Sequence, residues 1–117
     1  MATVRTIPKP EWQAFFDSMA DTLIGKRVEI EAASLDFGDQ IVAEWVPLLG
    51  ITYDRHDDLV DVAIGSLDLD HLIRHPSEIY IQEGPRGLET ITVATADGEK
   101  QILRLKDPVM LPASQRH

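Results

Sequence analysis

Residues Pro10–Ala32, PEWQAFFDSMADTLIGKRVEIEA, change period once, at Gly25, and that change sets the architecture. Before it, Trp12, Phe15, Phe16, Met19 and Leu23 recur at spacings of three and four, an apolar stripe on one face of a helix. Pro10 suits the first helical position, where its missing N–H costs nothing, and Glu11 favours the positive end of the dipole. Gly25 is placed to end the helix in a left-handed conformation. After it, Val28, Ile30 and Ala32 alternate with Glu29 and Glu31, which is a strand with one wet face. The helix is therefore expected over Pro10–Ile24 as the lid of a core, with the first strand directly behind it.

The rest of the chain keeps the two-residue period. Asp36–Asp39 reads as a turn, and Ile41, Ala43 and Trp45 alternate along a return strand that Pro47 should stop or mark as an edge. Gly50–Tyr53 and Val60–Ile64 flank a polar tip, Asp54–Asp58, as a hairpin. Ser66 is placed to cap a short helix through Leu69, Leu72 and Ile73, which Pro76 must end by His75. Strands follow at Glu78–Glu83, Leu88–Ala96 and Glu99–Leu105, joined by turns at Gly84–Gly87 and at Asp97-Gly98, the latter expected as a two-residue type I′ turn. The expected fold is α+β: an N-terminal amphipathic helix, then about seven mainly antiparallel strands in a roll or partly open barrel, with one short helical turn before the last three. No long helix separates any two strands after Gly25, so a right-handed βαβ unit and the doubly wound folds have nowhere to form. One domain is expected over 1–105, with 106–117 as a flexible tail.

At 117 residues the chain is long enough to bury a core without a metal or disulfide staple, and it has no cysteine for either. Its net charge of -9 disfavours nucleic acid and anionic membranes as partners. No apolar run is long enough to cross a bilayer, and Met1–Pro8 has no secretory signal pattern, so a cytoplasmic protein is expected. The charge is unevenly placed. Between Asp36 and Asp70 stand nine acids and one base, Arg55, a net of -8 from the middle third alone. An acidic surface keeps small domains soluble, and it also steers toward a basic protein partner.

Several blocks have a familiar order: Thr6-Ile7-Pro8, Glu11-Trp12, Phe15-Phe16, Gly50–Asp54, Asp70–Pro76, Asp97-Gly98 and Ile102–Leu105. In this order the chain resembles a family of small bacterial proteins of unknown function, DUF5335. The most specific block is His71-Leu72-Ile73-Arg74-His75-Pro76. The resemblance implies a stand-alone bacterial domain and supplies no catalytic residue, cofactor or active site.

Candidate residues must therefore come from chemistry. His71 and His75 are four apart, which on a helix would place two imidazoles on one face, with Asp68 and Asp70 near as carboxylate ligands for a divalent metal. Pro76 opposes this by drawing His75 out of the helix, and Arg74 opposes a cation. Asp54, Asp57, Asp58 and Asp61 suggest calcium, but the tip lacks the central Gly and terminal Glu of a calcium loop. No Gly-x-Ser-x-Gly elbow and no phosphate loop is present, and Asp58 and Asp61 fall on opposite faces of a strand. The reading is a non-enzymatic accessory or interaction module without a cofactor, with an acidic binder of a basic protein and a weak metal-binding domain as alternatives. Its interaction or structural-corner residues are Asp54, Asp57, Asp58, Asp70, His71, Arg74 and His75. Leu72 and Ile73 are expected to anchor that corner in the core.

Overall fold

A computed structural model describes residues 3–36, 38–65 and 69–110. The element order is β1 (Thr3–Ile7), a 3-10 turn (Lys9–Glu11), α1 (Trp12–Leu23), β2 (Arg27–Ser34), β3 (Gly38–Asp54), β4 (Leu59–Ile64), β5 (Leu69–Arg74), β6 (Pro76–Gly84), β7 (Gly87–Thr95) and β8 (Lys100–Val109). The strands form one antiparallel sheet of eight in the order β1-β6-β7-β8-β2-β3-β4-β5. Among the described residues β1 and β5 are its two edges, so the sheet does not close into a barrel.

The helix forms where its apolar stripe requires. Trp12, Phe15, Phe16, Met19 and Leu23 are all buried, and Ile24 and Gly25 end the helix, Gly25 at φ +84° with its N–H on Leu48 O. The helix packs against β3, and its stripe joins Ile30, Ile51, Ile79, Ile81, Ile91 and Leu103 in one core. Trp12 is the hinge of this packing. Its indole Nε1 donates to Ile7 O at 2.7 Å, and its ring meets Tyr53 edge-on with centroids 5.1 Å apart. One side chain thus ties the end of β1 to the helix and to β3.

Several expectations need correction. A strand, β1, precedes the helix, which is therefore not the first element. β1 pairs with β6 from Thr3↔Glu83 to Ile7↔Ile79. Pro47 does not stop β3. The strand runs on to Asp54, exchanging β2 for β4 as its partner beside the proline, whose carbonyl accepts from Gly65 N at 2.9 Å. The exchange is eased by a bend: Trp45 has φ +51°, and the β2–β3 register shifts near Ile30. The β7–β8 connection is a three-residue loop, Ala96-Asp97-Gly98, between Thr95 and Glu99, whose backbones are hydrogen-bonded. Only Gly98 has positive φ there, so a type I′ turn is excluded. β8 also continues past Leu105 to Val109, which is buried against the backbone of Gly87. A Cβ on Gly87 would sit 2.4 Å from Val109 O, and only glycine allows that approach. Residues 111–117 of the expected tail, Phe37 of the first turn and Ser66 to Asp68 lie outside the described residues.

The largest correction concerns the histidine segment. Leu69–Arg74 is strand β5, paired with β4 from Leu59↔Arg74 to Ile64↔Leu69. The spacing of Leu69, Leu72 and Ile73 fits a helix, but His71 and Ile73 also alternate with Asp70, Leu72 and Arg74 at period two, and β4 offers an apolar edge to pair with. In a strand, Leu72 and Ile73 must point to opposite faces. Ile73 is buried at 2% exposure, whereas Leu72 is 41% exposed and anchors nothing in the core. Thermal or denaturant unfolding at dilute concentration should therefore show Ile73→Ala losing about 2–5 kcal/mol. Leu72→Ala should stay within about 0.5 kcal/mol of wild type; a reversed ranking would contradict this placement of β5.

Candidate functional site

The candidate residues fall in two places. At the β3–β4 tip, the Asp54 side chain folds back on the turn, its Oδ1 accepting from His56 N at 2.9 Å and Asp57 N at 3.1 Å. This is the local bond that makes aspartate a turn former. Asp57 lies at the surface with its Oδ1 3.1 Å from His56 Nδ1. Asp58 turns inward at φ +51° and becomes a hub. Its Oδ1 accepts from the Tyr53 hydroxyl at 2.8 Å and lies 3.8 Å from Lys9 Nζ, while Oδ2 is 3.8 Å from His75 Nδ1. Burial, and then the Asp58 carboxylate it donates to, push the Tyr53 hydroxyl up to about 12, so it remains a protonated donor at ordinary pH.

Beside this hub a cleft of about 640 Å³ lies between Gln13 of the helix and Thr52, Tyr53, Asp54, Arg55 and His56 of the tip. Tyr53 contributes the apolar element, and Asp54, Arg55 and His56 supply charged or titratable groups. The geometry suits a polar contact surface.

The second place is β5. His71 faces inward, its Nε2 2.9 Å from Oε1 of the buried Gln101 on β8. His75 instead sits at the end of β5, exposed and turned toward Asp58. A shared face for the two imidazoles, the premise of a metal site there, does not exist in this geometry. Asp70 and Arg74 are exposed on the outer face of β5, and among the described residues Arg74 makes no ion pair.

Two features escape sequence reasoning. Asp61 on β4 lies beside Asp70, with Asp61 Oδ1 buried and without a hydrogen-bond partner among the described residues. Two acceptors facing each other become a hydrogen bond only when one carboxyl holds a proton. Burial first, and then the Asp70 charge, raise Asp61 above the usual aspartate value. On β2 and β8, Arg104 Nη1 reaches Glu31 Oε1 at 2.5 Å and Glu29 Oε1 at 3.4 Å, which holds Glu31 low and binds the two strands across the outer face. Neither pairing is visible without the strand register.

The fold and its surface define a small acidic α+β domain built on an open antiparallel sheet, with a charged hairpin tip and a charged edge strand that has one strand partner among the described residues. The chain belongs to the family of unknown function DUF5335, which it matches over residues 3–114. It is 39% identical over 112 residues to an uncharacterized protein of Aquifex aeolicus (strain VF5), covering 96% of this chain and 99% of that protein. No solved structure matches it. Among the described residues, no helix is long and apolar enough to cross a membrane.

The acid pair gives a pH prediction with a definite sign. A carboxyl whose folded value is raised binds its proton more tightly in the native state. Ionisation then disfavours the fold as pH rises from the ordinary 3.8 through the raised value. Asp61→Asn removes that effect while keeping the shape. Melting at pH 7 should be higher for Asp61→Asn than for wild type, and the gain should shrink toward zero below the ordinary aspartate value. A variant that is less stable at pH 7 would contradict the account.

Proposed function

We propose that this chain is a non-enzymatic, cytoplasmic interaction module that presents an acidic face to a basic protein partner, without a cofactor. The observation that carries this reading is where the acids fall once the chain is folded. The acid-rich third of the sequence makes up β3, β4 and the start of β5, three neighbours at one end of the strand order. Glu44, Asp54, Asp57 and Asp70 are exposed on it, and Asp58 stands at its corner. Lys100, Arg104 and Lys106 lie on β8, on the other side of β2 in the strand order. We read the sheet as a partly open roll, because β5 and β6 lie far apart in the strand order yet are consecutive through His75. That curl brings the acidic end round beside the helix, where the tip and the 640 Å³ cleft form a continuous surface.

An acidic face of this kind raises the encounter rate with a cationic surface and loses that advantage in salt, since screening acts within about 10 Å at 0.1 M. The test is capture from native lysate on the immobilised chain, followed by mass spectrometry. A basic protein should be recovered in near-stoichiometric amount and released by salt. It should be lost with Asp54→Asn/Asp57→Lys, a variant that keeps the turn bond at position 54 while reversing the surface charge. Recovery of no basic protein, or undiminished recovery by the variant, would overturn the reading.

A further inference from the structure

The β5 edge shares Asp70 with the acidic face but carries a pattern of its own, which Leu72 and Arg74 complete. Among the described residues β5 pairs with β4 on one side only, and its six residues end the strand order. Such an edge presents a row of unpaired N–H and C=O groups, and proteins ordinarily blunt it. Three side chains stand on its outer face: Asp70, Leu72 and Arg74, all exposed. An acid, an apolar residue and a base at consecutive outward positions read as their own complement when the strand is reversed.

We propose that two copies of this chain pair antiparallel along β5, about a two-fold axis at Leu72, to make one continuous sheet. In this register Asp70 of each copy lies opposite Arg74 of the other, and the two Leu72 side chains meet at the axis. A two-fold perpendicular to the sheet keeps outer faces together, so the axis must pass through a residue of β5 and cannot fall between two. Centring it on His71 would set Asp70 against Leu72, and centring it on Ile73 would set Leu72 against Arg74. Only Leu72 at the centre pairs both charges and joins the apolar side chains. Opposite charges directly across an antiparallel pair stabilise it, and like charges oppose it.

Two further facts fit a second copy as the occupant. Arg74 makes no ion pair within the described residues. The acid pair Asp61 and Asp70 has no cation beside it there, and Asp61 Oδ1 is left without a partner. Arg74 of the second copy brings a guanidinium to that pair. A six-residue edge is a small interface, of the weak and reversible kind, so association shows as a concentration dependence.

Sedimentation velocity over a wide concentration range tests this. The average mass of wild type should rise from the 13.1 kDa of one chain toward twice that value. Asp70→Arg places arginine against arginine, and Arg74→Asp places aspartate against aspartate. Each variant should weaken self-association roughly tenfold or more. Mixed, the two should associate with each other, because the two arginines on the edge of one variant then face the two aspartates on the edge of the other. Circular dichroism checks that each remains folded. Should either charge variant fail that check, Leu72→Lys, at an exposed position on the axis, should also abolish association. A wild type of single-chain mass at every concentration would overturn the proposal, as would single variants that associate like wild type or a mixture no tighter than its components.

Discussion

The chain passes from β5 into β6 through one residue, His75, and the arrangement of the whole sheet depends on that corner. His75 has φ +56°, its N–H donates to Asp58 O at 2.9 Å, and its carbonyl accepts from Ala96 N at 2.9 Å. One residue therefore holds the β3–β4 tip on one side and the β7–β8 loop on the other. A left-handed backbone costs a residue with a side chain about 1–2 kcal/mol, so the position persists because the neighbouring bonds fix it. Asp58, which accepts one of those bonds, is itself left-handed at φ +51°. Both backbones are bent where the two halves of the sheet meet.

From that corner the electrostatics follow. Asp58 stands where Lys9, Tyr53 and His75 converge, so the one acid of the tip that turns inward is shared among the helix entrance, β3 and the β5–β6 corner. Among the described residues, the remaining acids of the middle third stay at the surface or meet another acid. Glu31 and Asp61 show the two outcomes for a carboxyl on the outer face. With Arg104 beside it, Glu31 is held low and joins two strands. With Asp70 beside it, Asp61 is raised and is less favourable for the fold when ionised. The proposal of a basic partner rests on the exposed acids of this end of the sheet.

Much of this was legible in the sequence because the helix and the hairpins carry redundant signals. The stripe from Trp12 to Leu23 reappears as the largest buried side chains, and Gly25 ends the helix as expected. The Gly50–Ile64 hairpin and the adjacency of the last two strands also follow from local pattern. What failed was short or ambiguous. β1 has five residues and its partner lies far along the chain at β6, so nothing local distinguishes it. Leu69–Arg74 satisfies both periods, and the choice was made by β4, a tertiary neighbour. Asp54, Asp57 and Asp58 were legible as a polar tip, but the inward turn of Asp58 needs His75 and Tyr53 in place. The Asp61–Asp70 pair needs the β4–β5 register, which the helical reading of β5 concealed.

The dependence on His75 is a claim about backbone conformation, and substitutions that change only the cost of positive φ test it most directly. Glycine accepts φ +56° without penalty, while a β-branched residue is strongly opposed there. Calorimetric melting of His75→Gly and His75→Val should separate the two. The account predicts His75→Gly at or above the wild-type midpoint and His75→Val lower by roughly 4–8 °C for each kcal/mol of added strain. If His75→Gly falls as far as His75→Val, the imidazole rather than the backbone turn holds the corner, and the central claim fails.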